Sequence, residues 1–358
     1  MEVGIVGIPY SGKSTLFQAL TGLEAQMPGS IKPMVGVATI PDPRLTLITS
    51  LVPTKKVVPA TLKVVDIPGL VSGASEGAGS GNAFLSTIRD VDAIIHLVRC
   101  FDRPDVPHVD GSIDPARDVD NVDTELILAD LEMVENAIPR AEKSARKKEG
   151  DSVARLALLT KIKPVLEEGR SVRSVELSAD ESKLLKSMQM LSAKPVLYVA
   201  NVGEDDPKGE GPLPTLVREI ASAQHAGFAP VCASIEAELG ELEEADRAEM
   251  LESMGLAEPA LAALARAAYD LLGLQSFYTA GDKENRAWTV RKGATAPQAA
   301  GAIHTDFERG FIRAEVYSVA DLAELKSEKA IKEKGRMRVE GKAYVMQDGD
   351  VCHFLFNL

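Results

Sequence analysis

A glycine-rich segment near the N-terminus constrains the fold of this chain more than any other feature. Residues 7–14 read GIPYSGKS, which matches the pattern GxxxxGK[ST]. The apolar run Glu2 to Gly7 precedes it, and Leu16 and Leu20 follow it with helical spacing. In such a loop, main-chain N–H groups curl around a phosphate, and the positive end of the helix dipole strengthens the attraction. The segment therefore predicts a nucleotide-binding strand–loop–helix unit, with a chance match as the alternative.

Five short apolar runs predict that this unit belongs to a mostly parallel sheet. They are rich in Val, Ile and Leu and do not alternate strictly with polar residues, which is typical of strands covered on both faces. The runs are Glu2 to Gly7, Thr61 to Asp66, Ala93 to Cys100, Pro195 to Asn201 and Phe228 to Ala233. The fold class that we expect is therefore α/β.

The region between about Asp123 and Met190 predicts a helical insert in that sheet. Apolar residues recur there three and four positions apart, which predicts a heptad-like seam on one long helix. They are Ile127, Leu131, Val134, Ile138, Ala141 and Ala145. Pro139 is expected to kink this helix, and two more helices are predicted near 156–166 and 184–191. A helical hairpin or short coiled coil is the favoured interpretation, and a few ordinary surface helices are the alternative.

The chain changes character again after Gln275. Short strands are predicted at 276–280, 286–290, 311–316, 342–346 and 351–356, with helices near 298–303 and 319–325. A helix over 255–274 is expected to close the preceding domain. The remainder predicts a separate α+β domain of about 80 residues.

Composition narrows the class of protein. The 358 residues are 45% hydrophobic and carry a net charge of −13, which argues against coating of the whole surface by nucleic acid. The three cysteines are far apart and lack zinc-ligand spacing, as in proteins of reducing compartments. The N-terminal residues lack the pattern of a signal peptide, and the apolar runs are shorter than a membrane helix needs, so we expect neither feature. We expect a soluble cytoplasmic protein with no membrane and no DNA partner.

The residues predicted to surround the phosphates share the loop and the start of its helix. They are Gly7, Tyr10, Ser11, Gly12, Lys13, Ser14 and Thr15. Lys13 is expected to reach the β- and γ-phosphates, and the Ser14 hydroxyl to ligate Mg²⁺.

A second segment, Asp66-Ile67-Pro68-Gly69, follows a predicted strand. Asp66 is expected to hold Mg²⁺ through a water molecule, and Gly69 to donate its N–H to the γ-phosphate. The glycine-rich stretch from Gly69 to Gly81 predicts a loop that orders on the γ-phosphate. A turn residue at Asp66 and a plain flexible loop are the alternatives.

The tetrapeptide Asn201-Val202-Gly203-Glu204 occupies the place of the NKxD guanine reader of P-loop GTPases. Glu204 replaces the Asp that accepts hydrogen bonds from guanine, and Val202 replaces the Lys. Adenine lacks both guanine donors, so this change costs an ATP site less than a GTP site. Ser234 in the next loop is the fourth predicted base contact, with an ordinary turn as the alternative.

Over nearly its whole length, the chain resembles the YchF/Obg-like ATPase family of P-loop NTPases. The segments that carry the resemblance include GIPYSGKSTLFQALTG, VVDIPGLVSGASEGAGSGNAFL, LYVANVGED and RAWTVRKGATAPQAAGAIHTDFERGFIRAEV. The resemblance implies a G-domain in two parts, 1–118 and 193–275, a helical coiled-coil insert at 119–192, and a TGS domain of β-grasp type at 276–358. It also implies Mg²⁺-dependent hydrolysis of ATP to ADP and phosphate, with ATP preferred over GTP, ribosome binding, and a role in translation or the stress response.

The resemblance also points to a catalytic residue. Leu70 stands where Ras-like enzymes carry the glutamine that positions water, and an apolar side chain cannot do this. The family's proposed replacement is a histidine on a mobile loop, which corresponds to His108, acting together with Lys13. A neutral imidazole can orient or deprotonate water near neutral pH. A surface loop histidine is the alternative, and His96, inside an apolar run, is predicted to be buried and structural.

The chain departs from the family pattern at two places. Tyr10 and Ser11 stand where the family carries Asn and Val, and Tyr10 lacks the amide oxygen that helps to hold potassium, so potassium dependence is doubtful. The segment that should carry a Mg²⁺-supporting Thr is shortened, and Ser30 is the candidate substitute. A nucleotide sensor with little or no hydrolysis and a GTP-preferring GTPase therefore stay open beside the ATPase switch.

Two basic clusters are candidate contacts for ribosomal RNA. One lies on the predicted insert, and the other in the C-terminal domain. Their members are Arg140, Lys143, Arg146, Lys147 and Lys148, and Lys326, Lys329, Lys332, Lys334, Arg336 and Arg338. No aromatic residues are interleaved with them, so contact with the RNA backbone is the expected mode.

Overall fold

The computed structural model describes residues 1–24, 32–68, 80–147 and 150–357. They form two compact units: unit 1 comprises Met1–Gly36 and Lys63–Leu264, and unit 2 comprises Val37–Leu62 and Ala265–Leu358. Ser30, Gly69, Leu70 and Lys148, which carry predicted roles, lie outside the described residues. The four predicted domain ranges stay a prediction.

A six-stranded sheet forms the centre of unit 1. Its strands are β1 (Glu2–Val6), β2 (Met34–Thr39), β4 (Thr61–Asp66), β5 (Ala93–Cys100), β6 (Val196–Val202) and β7 (Gly227–Val231), in the order β2-β4-β1-β5-β6-β7. β1 pairs in parallel with β4 and β5, and β5–β6 and β6–β7 are also parallel. The predicted parallel sheet and its five strands are confirmed. β2 was not predicted, because Val35 and Val37 on this edge strand are exposed and its pattern alternates.

Helices cover both faces of this sheet and end the unit. They are α1 (Lys13–Thr21), α3 (Ser80–Asp90), α7 (Pro212–Ala223), α8 (Ala233–Glu241), α9 (Glu244–Ser253) and α10 (Ala260–Leu271), the last of which runs on into unit 2. Residues of β5, β6, α3 and α7 share one apolar core. The helix predicted over 255–274 is therefore observed in a shorter form.

One 32-residue helix, α4 (Pro115–Arg146), belongs to two cores. Asp114 caps it by accepting from the main-chain N–H of Arg117 at 3.1 Å, and the proline at its first position has no N–H to lose. Its first half packs Val119 and Val122 into the core of the sheet. Its second half forms a separate core with α5 (Ser152–Glu167) and α6 (Ala179–Met188).

The predicted helical insert is thus present. Ile127, Val134 and Ala141 of the predicted seam are buried in the second core, and Pro139 lies inside the helix. The helix begins at Pro115 rather than near Asp123, because the sheet buries apolar residues that lie outside the seam.

Buried Asp130 of α4 ties the end of the insert back to the long helix. Its carboxylate accepts from the main-chain N–H groups of Leu191 and Ser192 at 2.9 and 2.7 Å, and from the Ser192 hydroxyl at 2.6 Å. Burial raises the pKa of this carboxyl group, and the three donors oppose that shift. The insert therefore returns to β6 at a defined point.

Unit 2 is a second sheet with short helices. Its elements are α2 (Pro43–Leu51), β3 (Val57–Val58), β8 (Leu274–Thr279), β9 (Asn285–Arg291), α11 (Ala296–Ile303), α12 (Thr305–Arg309), β10 (Phe311–Ser318), α13 (Val319–Leu325), α14 (Glu328–Glu333), β11 (Arg338–Glu340) and β12 (Asp350–Phe356). The strand order is β11-β10-β12-β8-β9-β3, with β12 parallel to β8 and antiparallel to β10. Alanines of α11 pack with Phe277 and Val316 in its core. A hairpin, a helix packed on the sheet and a parallel pair at its centre agree with the expected β-grasp type. The narrower TGS assignment stays a prediction.

The predicted strand at 342–346 is wrong. A turn in which the N–H of Tyr344 donates to the carbonyl oxygen of Gly341 at 3.1 Å breaks the extended run. Beyond it, Val345 forms only an isolated bridge with Thr295. The strand of this region is β11, whose Val339 is exposed at the sheet edge. No helix in the described ranges is long and apolar enough to cross a membrane.

Candidate nucleotide-binding site

The predicted phosphate loop connects β1 to α1. Gly12 precedes the helix with φ 97°, a left-handed conformation that favours glycine. A Cβ atom at Gly12 would also collide with the side-chain amide of Asn201, and one at Gly7 with the carbonyl oxygen of Leu97. Tyr10 is left-handed at φ 63°, and its side chain is largely exposed. Both glycines are therefore required by close packing around the loop.

The ammonium group of Lys13 lies inside this loop. It donates to the carbonyl oxygens of Gly7 and Ile8 at 3.0 and 2.7 Å, and the side chain is buried. Burial lowers the pKa of Lys13 to about 8, against the attraction of Asp66. Among the described residues, the acceptors of this buried cation are thus neutral carbonyl groups, which suits exchange of these contacts for an anion.

Ser14 and Asp66 meet where a metal ion was predicted. The Ser14 hydroxyl donates to Asp66 Oδ2 at 3.3 Å. Burial raises the pKa of the Asp66 carboxyl group, while Lys13 and Ser14 lower it. A hydroxyl and a carboxylate oxygen beside a phosphate loop are the hard donors that Mg²⁺ prefers, so these residues fit the ion.

Asn201 joins the phosphate loop to the loop that follows β7. Its amide nitrogen donates to the carbonyl oxygen of Ser11 at 2.8 Å, and its amide oxygen accepts from the N–H of Ala233 at 3.1 Å. Both polar atoms of this buried side chain therefore serve the main chain. Val202 is buried in the core. Base contacts from Asn201 and Val202 stay a prediction.

Glu204 and Ser234, both predicted base contacts, lie together in the structure; their contact with a base stays a prediction. The Ser234 hydroxyl donates to Glu204 Oε1 at 3.0 Å. Both line a cavity of about 720 Å³ that Tyr10, Gly12 and Thr15 border from the phosphate loop. That volume lies within the range of small-molecule sites, and the cavity joins the predicted phosphate and base residues.

Sequence reasoning missed one wall of this cavity, the loop after β5. Phe101 and Arg103 line it, and the guanidinium of Arg99 holds the loop from beneath. Arg99 donates to the carbonyl oxygens of Phe101, Val106 and Pro107 at 3.2, 2.9 and 2.8 Å and lies over the Phe101 ring at 4.6 Å. The position of this loop at the carboxyl end of a parallel strand, where ligands of α/β sheets bind, is the signal that could have found it.

His108 is fully engaged within the described structure. Its Nδ1 accepts from the N–H of Asp110 at 3.1 Å, which leaves the proton on Nε2 for donation to Asp118 at 3.0 Å. Only 5% of the side chain is exposed. Arg117 also contacts Asp118, at 3.1 Å, and Asp110, at 3.6 Å. The acidic groups around His108 are therefore paired, and its catalytic role stays a prediction.

His96 and Ser11 are two further residues for which the sequence made a prediction. His96 is buried, and its burial lowers the pKa to about 4, which confirms the expected buried histidine. The hydroxyl oxygen of Ser11 is buried and has no hydrogen-bond partner among the described residues. Within the described residues this hydroxyl therefore gives the loop no stabilising hydrogen bond.

Comparisons with known proteins identify the family to which the chain is similar. A family model described as "50S ribosome-binding GTPase" matches residues 2–138. A model of the YchF-GTPase C-terminal region, whose description is a protein of unknown function, matches residues 274–357. "Ribosome-binding ATPase YchF" of Haemophilus ducreyi is 50% identical and is aligned over 100% of this chain and 99% of its own. The protein of that name in Bacillus subtilis is 47% identical over 100% of both chains.

A solved structure extends the agreement to three dimensions. The YchF GTPase of Schizosaccharomyces pombe superposes with a TM-score of 0.87 at 35% identity, covering 99% of this chain and 97% of that one. The identity and the fold both extend over the whole length, including the insert and the C-terminal sheet. The chain therefore belongs to the YchF family of P-loop NTPases.

Proposed function

We propose that this protein is a Mg²⁺-dependent P-loop ATPase that binds ribosomes and changes its partner contacts with the state of the bound nucleotide. The observation that carries the proposal is the convergence of Lys13, the Ser14–Asp66 pair and the Glu204–Ser234 pair on one loop system. Relatives named ribosome-binding ATPases support it. Location in the cytoplasm is part of this proposal.

The phosphate side follows from charge and main-chain geometry. The loop amides and the first turn of α1 would bind phosphate oxygens, and Lys13 would turn from the carbonyl oxygens of Gly7 and Ile8 to the β- and γ-phosphates. Ser14 would ligate Mg²⁺ directly and Asp66 through water, with Ser30 as a further candidate ligand. The N–H of Gly69 would donate to the γ-phosphate; Ser30 and Gly69 both lie outside the described residues. When bound, the ion would neutralise negative charge on the phosphate oxygens.

The contacts of Glu204 support a preference for adenine over guanine. One oxygen of Glu204 already accepts from Ser234, so it has one lone pair fewer to offer a ligand donor than the other oxygen has. Adenine presents one exocyclic amino group, whereas guanine presents the N1–H and N2–H₂ pair that needs two acceptor oxygens. A carboxylate that already accepts a hydrogen bond from a serine therefore suits the single amino group of adenine better than the two donors of guanine.

Titration calorimetry with ATP, GTP and ADP, each with Mg²⁺, tests nucleotide choice. We expect ATP to bind at least about tenfold more tightly than GTP. Ser234→Ala removes the hydrogen bond to Glu204 and should reduce the ratio of ATP affinity to GTP affinity. Ser222→Ala, on α7 away from the cavity, should leave that ratio unchanged. GTP binding tenfold more tightly than ATP would instead identify a GTP-preferring GTPase.

A nucleotide sensor with little or no hydrolysis is the second candidate. The observation that favours it is the engagement of both His108 nitrogens by Asp110 and Asp118, which leaves neither for water. We propose that a partner must release His108 before hydrolysis, so that the ATPase is slow by itself.

Single-turnover phosphate release, with and without ribosomes, separates the two candidates. Release stimulated by ribosomes in the parent protein, and reduced about a hundredfold in His108→Ala with nucleotide affinity unchanged, supports the ATPase with His108 as base. No release under either condition supports the sensor. Stimulated release that His108→Ala leaves intact would remove this residue from the mechanism.

The proposed ribosome contact lies on the helical insert. In the C-terminal cluster, Arg336 pairs with Glu324 at 2.6 Å and Arg338 with Asp350 at 3.4 Å, so much of that charge is neutralised internally. On α4, Lys143 and Arg146 are exposed and form no ion pair within the described ranges. Free cations contribute more to backbone binding, because they replace counterions on the RNA.

A further inference from the structure

A second cavity, of about 870 Å³, lies in the helical insert, outside the nucleotide site. The end of α3, the second half of α4, the start of α5 and α6 supply its walls. None of the residues that line it belongs to the phosphate loop or to the loops after β5, β6 and β7. Its size lies within the range of small-molecule sites.

Two residues that line this cavity each carry a buried polar atom with no partner in the described part of the chain. These atoms are the hydroxyl oxygen of Ser152 and the Nε of Arg89, and Ser152 is only 8% exposed. Buried polar atoms are normally hydrogen-bonded. A guanidinium can only donate, so the partner that Arg89 lacks is an acceptor.

The start of α5 adds a positive potential at the same place. Ser152 is the first residue of this 16-residue helix, and the preceding Asp151 makes no side-chain capping bond. The first N–H groups of a helix have no partner within the helix and carry its positive dipole end. A helix start with an unpartnered buried hydroxyl is suited to an anion.

The charged side chains of the cavity point to the same class of ligand. Arg89, Arg140 and Arg155 line it, and within the described ranges none of the three forms an ion pair. Two carboxylates, Glu132 and Asp151, also line it, so three guanidinium groups face two acids. One guanidinium group can donate two parallel hydrogen bonds to two oxygens of the same phosphate.

Apolar side chains also line the cavity. They include Met133, Ala137 and Leu184, which could cover an organic group. The two carboxylates would repel a polyanion that runs through the cavity, so a compact ligand with a single phosphate or diphosphate group suits the lining better. We propose that this cavity binds a small phosphate ester or diphosphate, with the phosphate at Ser152 and Arg89.

Calorimetric titration of the full chain with pyrophosphate and with phenyl phosphate, without metal, tests the proposal. Lys13→Ala serves as the common background, so that the phosphate loop does not contribute to the signal. We expect Arg89→Gln to weaken binding at least about tenfold and Ser152→Ala about threefold. Ser152→Ala removes an unpartnered hydroxyl and should keep the fold, which thermal unfolding checks. Arg170→Gln is the matched control, because Arg170 pairs with Glu168 and lies outside the cavity.

The outcomes are distinct. Binding that the two cavity variants weaken and Arg170→Gln leaves unchanged supports the site. Absence of binding, or equal binding in all variants, overturns it. Binding of a short single-stranded RNA that Arg89→Gln weakens, with neither small probe bound, would also overturn it in favour of an RNA surface. None of these results depends on whether the protein hydrolyses ATP.

Discussion

At the scale of single residues, Asn201 has the clearest structural consequence. The sequence placed it in a base-reading tetrapeptide, but its amide bonds the carbonyl oxygen of Ser11 and the N–H of Ala233. No pattern within the tetrapeptide reveals these partners, because they lie 190 and 32 positions away. The residue type was predictable as part of a site, whereas its two main-chain partners were not.

Replacement of Asn201 by alanine should therefore loosen the phosphate loop. The buried Ser11 oxygen and Ala233 N–H would lose their partner, at a cost of about 1–3 kcal/mol in the free energy of unfolding of unit 1. We expect ATP affinity to fall about tenfold as the loop loses its position. Urea unfolding and calorimetry measure the two effects, with Asn136→Ala on α4 as control. Unchanged ATP affinity would contradict this role.

Lys13 predicts a pH dependence of nucleotide binding. Its pKa is lowered from 10.5 to about 8 in the free protein, and a triphosphate would raise it again by favouring the charged form. Between about pH 8 and pH 10, the free protein thus binds fewer protons at Lys13 than the complex does. ATP binding should take up as much as one proton there, and affinity should fall as the pH rises through this window.

Calorimetry at pH 9 in two buffers with different heats of ionisation measures this uptake. Lys13→Arg is the control, since arginine stays charged throughout the window. The variant should show no uptake from this position. Equal ATP affinity of the parent protein at pH 7.5 and pH 9.5 would refute the prediction.

At the scale of elements, Arg99 connects β5 to the loop that walls the nucleotide cavity and leads to His108. Arg99→Lys keeps the charge but cannot reproduce three contacts from one planar group. We expect the amides of 106–111 to exchange with solvent at least about tenfold faster, because the carbonyls of Val106 and Pro107 lose their donor. Peptide-resolved hydrogen exchange measures this.

Arg218→Lys provides the matched control for that experiment. Arg218 also donates to a main-chain carbonyl, that of Gly209 at 3.0 Å, and lies over an aromatic ring. Its substitution should leave exchange at 106–111 unchanged. Equal exchange in the parent protein and Arg99→Lys would show that the loop is held by other contacts.

At the scale of the whole molecule, the distribution of charge predicts which basic cluster makes ribosome binding sensitive to salt. The double variant Lys143→Gln, Arg146→Gln removes two cations that have no ion pair in the described ranges. It should weaken ribosome binding and reduce the slope of log affinity against log salt by about two. Sedimentation with ribosomes at several salt concentrations measures both quantities.

The matched variant removes the same charge from unit 2. Lys329 lies 3.9 Å from Glu333, and Lys332 lies 3.8 Å from Glu315, so Lys329→Gln, Lys332→Gln removes cations that already face carboxylates. We expect a much smaller effect on the salt slope. If both double variants reduced the salt slope equally, the ribosome contact would not be confined to the insert.

The sequence alone determined the phosphate loop, the parallel strands, the long insert helix and the family, because each rests on contacts between neighbours in the chain or on repeated spacing. Tertiary structure decided what local patterns cannot encode. The sheet extended α4 back to Pro115 by burying Val119 and Val122, and a turn at Gly341 removed a predicted strand. It also placed Arg99 where it donates to the loop that lines the cavity, and Asp118 where it is hydrogen-bonded to His108. The partners of a buried polar group are chosen by the folded chain, because only folding makes them neighbours.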